Sequence, residues 1–249
     1  MYCVIATARR PRLTRVPAGL PGAGPVRLLE VETGLFAAVA DLPLDRYSQT
    51  AINAGLANLD WVSRVAVAHE TVVESFVNAS AVLPMTLFTI FTTDQRALDH
   101  VRAQRQRIVA LVKRLANHQE WGIRVVLDRR LAAAVSKQKA AARAGTGAAY
   151  LAHKQAQRDA SRELASRARD TVAALFDRLA AKSGDAKRRG ATELPLRGGP
   201  LLLDAAFLVP RSRAATFKAF AGRESKALAH QGYGLTISGP WPPYTFVQD

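Results

Sequence analysis

Residues 69–73 (HETVV) begin like the helix of a zinc protease. In such helices two histidines one turn apart bind the metal, and the glutamate after the first histidine acts as a base. Position 73 is valine in this chain, so the second ligand is absent. We therefore predict that His69 and Glu70 are structural and that the chain binds no metal. The other histidines, which also lack ligand spacing, are His100, His118, His153 and His230.

The other candidate catalytic motifs are incomplete. Residues 144–150 (AGTGAAY) lack the third glycine and the preceding strand of a dinucleotide-binding loop, and no Walker or G-x-S-x-G motif occurs. Cys3, the single cysteine, has no nearby His or Asp in sequence, so we predict a small core residue. Asp41 and Asp45 are typical of surface carboxylates. We expect a protein with no enzymatic activity, no catalytic residues and no cofactor.

The composition is that of a folded globular protein rather than a disordered or membrane-spanning one. Of 249 residues, 49% are hydrophobic and 22% are charged. The longest uncharged run near the middle, residues 79–93, is shorter than the ~18 apolar residues of a membrane span and contains Pro84. The N-terminus becomes basic only after its apolar residues, the reverse of a secretory signal. We expect two domains, a cytoplasmic location and no membrane partner.

The charge distribution raises a second hypothesis. The formal net charge is +15, and residues 131–190 hold 13 of the 35 Lys and Arg residues but only 5 of the 20 Asp and Glu residues. Such a stretch is typical either of a solvated basic helix or of a nucleic-acid-binding module. Aromatic residues that could stack on bases are sparse there, only Tyr150 and Phe176. The solvated helix is therefore the favoured interpretation, and the module stays as the alternative.

The pattern of apolar residues in the first half predicts strands and helices that alternate. Leu59, Val62, Ala66, Val73 and Phe76 recur with helical spacing, and Thr93 offers an N-cap for a second helix. The continuous apolar run at 81–91 favours a buried central strand. The predicted strands are 2–6, 26–31, 35–40, 81–91 and 121–127, the helices start near Leu59 and Thr93, and the second ends near residue 117.

The second half predicts a smaller domain of the same kind. Its elements are a long helix at 150–179, a polar loop at 182–199, a strand at 201–209, a helix at 214–229 and a strand pair within 233–247. The predicted core face of the long helix includes Leu164, Ala168, Val172, Leu175, Phe176 and Leu179. The predicted fold class is α+β with two domains, each a mostly antiparallel sheet with helices packed on it, the second with a long basic helix. The predicted boundaries are 1–130, a helical linker at 131–147, and 148–249.

The C-terminal residues 237–249 (ISGPWPPYTFVQD) combine prolines with aromatic residues. The PWPP segment at 240–243 satisfies the P-x-x-P pattern of polyproline ligands. If it folds back instead, a large apolar area is buried by Trp241, Tyr244, Phe246 and Val247. Such burial stabilises the fold by about 25 cal/mol per Å². Soluble monomers rarely expose large apolar patches, so we predict that this ending folds as an edge element beneath the second sheet.

Several of these stretches, in this order, resemble the gas vesicle protein GvpF/GvpL family. The resemblance covers MYCVIA at the start, GLFAAVADLP at 34–43, AHETVVESF at 68–76, AVLPM at 81–85 and EWGIRV at 120–125. It continues with AYLAHKQAQRDA at 149–160, DAAFLVP at 204–210 and SGPWPPYTFV at 238–247. The residues in these motifs, which we predict to be structural, are His69, Glu70, Leu83, Pro84, Met85, Glu120, Trp121, Gly122, Phe207, Gly239, Pro240, Trp241, Pro242, Pro243, Tyr244 and Phe246.

The resemblance implies a role in making gas vesicles, as an assembly protein or a minor shell-associated protein. The implied partners are the hydrophobic, GvpA-like shell subunit and other accessory gas vesicle proteins, and we expect no nucleic acid partner. The implied location is the cytoplasm and the gas vesicle. The sequence departs from the family at Thr86 and Phe88, where the family has an arginine and a nearby glycine, so a contact made by that arginine does not carry over. F-type and L-type membership both stay open.

Overall fold

The computed structural model describes residues 1–14, 16–128, 147–190 and 199–247, so nearly all of the predicted linker at 131–147 lies outside them. The chain divides into two compact units. The first unit comprises Met1–Glu120 together with Pro240–Asp249, and the second comprises Trp121–Gly239. This division differs from the predicted 1–130 and 148–249, because the C-terminal residues group with the N-terminal ones. The predicted α+β class, with two antiparallel sheets and packed helices, is confirmed.

The first unit is built on a four-stranded sheet. Its strands are β1 (Cys3–Ala6), β2 (Arg27–Glu32), β3 (Leu35–Val39) and β4 (Ala81–Pro84), in the spatial order β2-β3-β1-β4. Every neighbouring pair is antiparallel. The predicted hairpin between β2 and β3 is confirmed, and its turn contains Gly34 at φ +79°, a conformation that glycine adopts without the strain a side chain causes.

In the described residues that come before the second unit, the first unit has five helices. They are α1 (Leu44–Tyr47), α2 (Gln49–Leu56), α3 (Leu59–Glu74), α4 (Asp94–Ala103) and α5 (Arg105–Leu115). Side-chain oxygens of Ser48, Asn58 and Thr93 accept hydrogen bonds from the first-turn amides of α2, α3 and α4. The predicted start of α3 and the Thr93 cap are therefore confirmed. The core of this unit includes Tyr2, Cys3, Ile5, Phe36, Val65, Val72 and Phe76.

Two predictions for the first unit are wrong in detail. Residues 81–91 do not form a central strand: β4 ends at Pro84 and is at the edge of the sheet in this order. The apolar residues after β4 lie in turns. One of them, Phe88, has φ +65° and stacks on Trp61, so the apolar character of this run reflects packing from turns and not a strand. The single helix predicted from Thr93 is two helices separated at Gln104.

The second unit has its own four-stranded sheet. Its strands are β5 (His118–Leu127), β6 (Asp185–Arg188), β7 (Leu201–Pro210) and β8 (Tyr233–Trp241), in the order β6-β7-β5-β8. The long helix α6 (Gly147–Ala180), a 3₁₀ turn (Arg211–Arg213) and α7 (Ala214–Ala229) complete it. The predicted bounds of α7 are confirmed. The unit boundary falls inside β5, after Glu120.

The predicted apolar face of the long helix is confirmed from Ala168 to Leu179, whereas Leu164 is only half-buried. Ala168, Val172, Leu175 and Leu179 are buried, and Phe176 is partly buried against the same core. Their three- and four-residue spacing places them on one side of the helix. The strands supply the rest of this core through Trp121, Ile123, Val125, Leu203, Ala205, Phe207, Val209 and Tyr233, and α7 supplies Phe217, Ala221 and Leu228.

Two predictions for the end of the chain and the polar loop are wrong. The segment predicted as a loop at 182–199 contains β6, an edge strand that pairs with β7. The final strand pair is one strand, β8, followed by the short helix α8 (Tyr244–Val247). Proline cannot donate to a sheet ladder but fits before a helix, which explains why Pro242 and Pro243 lie between β8 and α8. Trp241 is 37% exposed rather than buried beneath the second sheet.

Candidate partner-binding groove

Family-like motifs that are far apart in sequence meet in the first unit at the C-terminal segment. The carboxylate of Glu120 is buried, and it accepts hydrogen bonds from the amide and the hydroxyl of Thr245, at 2.8 and 2.7 Å. Phe246, one residue later, is fully buried. The EWG motif and the terminal PWPPYTF motif are therefore joined by a buried, charge-assisted pair of hydrogen bonds.

Tyr244 and the prolines extend this cluster toward α3 and β4. Burial is the main cause that raises the pKa of the Tyr244 phenol, and the nearby carboxylates of Glu70, Glu74 and Glu120 raise it further. Pro242 and Pro243 are buried, and α8 packs against β4, the strand of the VLPM motif. These motif residues hold the end of the chain on the first unit.

Other motif residues lie in the second unit, either in its core or where β5 and β8 approach each other. Trp121 and Phe207 are buried and each contacts Phe217, with ring centroids 6.4 and 5.7 Å apart. A Cβ at Gly122 would lie 2.5 Å from Ser238 Oγ, so glycine permits the close approach of β8 to β5. The motif residues are therefore divided between the two units.

Exposed apolar side chains indicate a different candidate site. Leu44 is 78% exposed and Ile90 is 40% exposed, although both are large and apolar. They border one open groove in the first unit, with a volume of about 370 Å³. We call it the Leu44 groove, and it is lined by Met1, Arg27, Val39, Ala40, Asp41, Leu42, Leu44, Tyr47, Ile90, Phe91, Thr92, Thr93, Asp94 and Ala97.

The rim of the Leu44 groove carries one arginine and two carboxylates. Arg27 donates to Asp94 through two nitrogens, at 2.6 and 2.7 Å, and to Asp41 at 2.7 Å. The hydrogen bond from Arg27 lowers the pKa of Asp94 below its ordinary value, so this carboxylate stays ionised. The side chain of Asp41 is 78% exposed. The side chains of the rim thus carry two negative charges against one positive charge. The Met1 amine also lines the groove, but burial lowers its pKa to about 6, so it is mostly uncharged at pH 7.

Beside the groove, His69 sits over a much smaller cavity. That cavity shares Ala40, Leu42 and Ile90 with the Leu44 groove and is also lined by Tyr2, whose ring centroid lies 5.4 Å from that of His69. Burial lowers the pKa of His69 to about 4, and its Nε2 has no hydrogen-bond partner among the described residues. His69 is therefore neutral at pH 7, whereas Glu70 is exposed.

The sequence carried a weak sign of this groove. Leu44 stands between Asp41 and Asp45, and an apolar residue among charged ones in a short helix is not explained by a core position. The two aspartates were interpreted only as surface carboxylates, and the exposure of Leu44 and Ile90 depends on how β3 and the 85–93 turns meet. The groove residues were accordingly missed.

The described residues offer no candidate for a metal centre or a membrane-spanning helix. No three His, Cys, Asp or Glu side chains in those ranges are grouped so that they could hold a metal ion. No helix in the described parts of the chain is long and apolar enough to cross a membrane. The lone thiol, Cys3, is fully buried.

The described part of α6 carries charges of both signs. Arg162 pairs with Asp159, Arg167 with Glu163 and Arg178 with Glu224 of α7. Pairs three and four residues apart are typical of a solvated helix face. Residues 129–146, which hold part of the basic stretch, lie outside the described residues. The described charges favour the solvated helix over a continuous nucleic-acid surface.

Comparison with known proteins gives a consistent result along the whole chain. The sequence profile of the family "Gas vesicle synthesis protein GvpL/GvpF" matches residues 1–248. Gas vesicle protein L of Streptomyces sp. (strain CB03234) is 28% identical over 238 residues, which cover 93% of this chain and 87% of that protein.

Two crystal structures share the fold. Gas vesicle protein GvpF from Anabaena sp. PCC7120 matches with a TM-score of 0.66 and 15% identity, over 100% of this chain and 94% of that one. GvpF from Microcystis aeruginosa matches with a TM-score of 0.66 and 16% identity, over 100% and 98%. At this identity the two structures establish the fold alone.

Proposed function

Because this chain belongs to the gas vesicle synthesis protein GvpL/GvpF family, we propose that it binds the hydrophobic gas vesicle shell subunit during assembly. In this proposal it acts in the cytoplasm and at the gas vesicle, either as an assembly protein or as a minor component of the shell. It also contacts other accessory gas vesicle proteins. It has no catalytic role and uses no cofactor.

The observation that carries this proposal is the open, apolar Leu44 groove. A shell subunit that presents an apolar face to gas is insoluble by itself, because water disfavours exposed apolar surface. A partner that covers part of that face must itself keep apolar side chains exposed. Leu44 and Ile90 meet this requirement, since both remain accessible at the groove's edge in the folded chain.

A binding role of this kind is stoichiometric, which gives it a direct test. When the shell subunit is co-expressed with increasing amounts of this chain, we expect its soluble fraction to rise in proportion, and the two proteins to co-purify. Apolar contacts should persist in 0.5 M salt. A purely electrostatic complex would dissociate, because the Debye length falls to about 4 Å at this salt concentration. A Glu70→Gln variant should behave like the wild type, because no catalysis depends on the carboxylate.

Deletion of the gene from a complete gas vesicle cluster tests the same proposal in cells. We expect vesicles that are absent or deformed, with recovery when the gene is supplied again. Normal vesicles in the deletion strain, together with a shell subunit that stays insoluble in co-expression, would contradict the proposal. Immunodetection of the chain in washed vesicles distinguishes a minor shell component from an assembly protein that is released.

A further inference from the structure

We infer that the Leu44 groove selects a segment of the shell subunit whose aliphatic side chains are flanked by a lysine or arginine. The inference rests on the proposed function and adds the chemistry of the contact. Two features of the groove carry it: an apolar interior with exposed anchors, and a rim of net negative charge.

The apolar interior accounts for the aliphatic part of the segment. Val39, Ala40, Leu42 and Ala97 line the groove, and Leu44 and Ile90 stand at its border with 78% and 40% exposure. Helical and extended peptides bind such grooves through a few anchoring side chains. A volume of about 370 Å³ accommodates two or three aliphatic side chains, since small ligand sites start at about 300 Å³.

The rim accounts for the basic residue. Arg27 is already bonded to both carboxylates, so its charge is compensated within the rim. Asp41 bonds to Arg27 through Oδ1 alone, and its Oδ2 accepts no hydrogen bond from the described residues. Since 78% of this side chain is exposed, Oδ2 is available to a lysine or arginine that reaches the groove.

The same charges disfavour the other occupants. A second copy of this chain carries +15 and would be repelled at low salt, although its exposed aliphatic residues could otherwise fill the groove. A nucleic acid would bring phosphates toward Asp41 and Asp94, which like-charge repulsion opposes. A basic segment of a partner, in contrast, is attracted locally by the rim, and its remaining apolar surface enters the groove.

The test uses the full chain and overlapping, fluorescently labelled peptides that span the shell subunit, with binding followed by anisotropy. We expect binding to be confined to peptides that combine aliphatic residues with a Lys or Arg, and replacement of that basic residue by Gln to weaken binding several-fold. Leu44→Ser should lower the affinity about tenfold, because a Leu side chain loses its contact. The matched control is Leu59→Ser, which alters an 83% exposed leucine outside the groove.

A second pair of variants tests the rim. Asp41→Asn should lower the affinity about threefold at low salt and much less at 0.5 M salt, as expected for an exposed charge contact. Asp170→Asn, which removes an exposed carboxylate from α6 in the second unit, should leave the affinity unchanged. Equal binding of the Gln-substituted peptides would overturn the assignment of a basic residue.

The outcomes separate this inference from the proposed function. If the shell subunit co-purifies equally with the wild type, Leu44→Ser and Leu59→Ser, the groove is not its site, while the proposed function stands. If neither the intact subunit nor any peptide binds the wild-type chain, both fall. Concentration-dependent dimers of the wild type that Leu44→Ser abolishes would instead assign the groove to a second copy of this chain.

Discussion

At the scale of single residues, the motif side chains differ chiefly in how deeply they are buried. His69 and Glu70 begin a metalloprotease-like motif, yet His69 is 6% exposed and faces Tyr2, while Glu70 is exposed. Glu120 is buried because Thr245 satisfies its carboxylate. Trp121 and Phe207 are also buried, and their rings lie in the core of the second unit.

The lowered pKa of His69 predicts a pH-dependent stability. In the unfolded state His69 binds a proton below its ordinary pKa of 6.5, whereas in the folded state it binds one only near pH 4. The folded state therefore loses stability as the pH falls from about 6.5 to about 4. Between pH 7 and pH 5 the loss attributable to His69 should be about 2 kcal/mol. Urea unfolding at the two pH values measures it.

The control for this prediction is a histidine in solvent. His69→Leu should remove most of the pH 7 to pH 5 difference that His69 contributes, whereas His230→Gln, at an exposed position, should retain it. An unchanged pH dependence in His69→Leu would show that other groups cause the acid sensitivity.

At the scale of elements, the C-terminal segment from Pro240 onward belongs to the first unit and is held there by contacts with residues far away in sequence. The segment begins near the end of β8. Glu120, Arg107 and Arg114 bind this segment: Arg107 donates to the carbonyl of Val247, and Arg114 donates to that of Phe246. Arginines at these carbonyls also complement the end of α8.

Removal of this segment should destabilise the first unit. A chain truncated after Ser238 loses the buried Phe246, Pro242 and Pro243 and leaves the buried Glu120 carboxylate without Thr245. We expect a loss of at least about 3 kcal/mol, since burial of a large side chain and one buried charged group are both affected. Hydrogen exchange of the amides in β1 and β4 reports on this unit directly.

Trp241 provides a matched comparison within the same segment. Because Trp241 is 37% exposed, Trp241→Ala should reduce stability by less than about 2 kcal/mol, well below the effect of truncation. A truncated chain that exchanges and melts like the full chain would show that the segment contributes little to the first unit.

At the scale of the whole molecule, the dominant property is the net charge of +15. Such a charge attracts polyanions without any specific site, and counterion release makes that attraction strongly salt-dependent. The described part of α6 carries ion pairs between residues one turn apart, and its apolar face packs in the core of the second unit. The excess charge is therefore expected to act through general electrostatics.

Affinity for mixed-sequence DNA tests this expectation. Binding should be weak and should fall by orders of magnitude between about 50 and 200 mM salt, as the release of several counterions requires. Electrophoretic mobility shifts at several salt concentrations measure it, with a lysine-rich peptide of equal charge as the reference. Nanomolar, sequence-selective binding at physiological salt would favour the nucleic-acid-binding alternative instead.

The sequence by itself determined the elements whose signals are local. Some features could be predicted because they depend on residues close to one another in sequence. They are the apolar spacing of α3 and α6, the Thr93 cap, the hairpin at Gly34 and the bounds of α7. These elements were sufficient for the α+β class. The ordered motifs from MYCVIA to SGPWPPYTFV were likewise sufficient for the family, since they span nearly the whole chain.

Tertiary structure alone decided the features that depend on contacts between distant residues. The run at 81–91 is apolar throughout, so periodicity could not distinguish a central strand from an edge strand followed by turns that pack on Trp61. The terminal aromatics would suit a strand, but prolines and the Glu120 carboxylate, over a hundred residues earlier in the chain, hold them as a helix on the first unit. The Leu44 groove arises in the same way, because only the meeting of β3 with the 85–93 turns leaves Leu44 and Ile90 exposed beside Asp41 and Asp94.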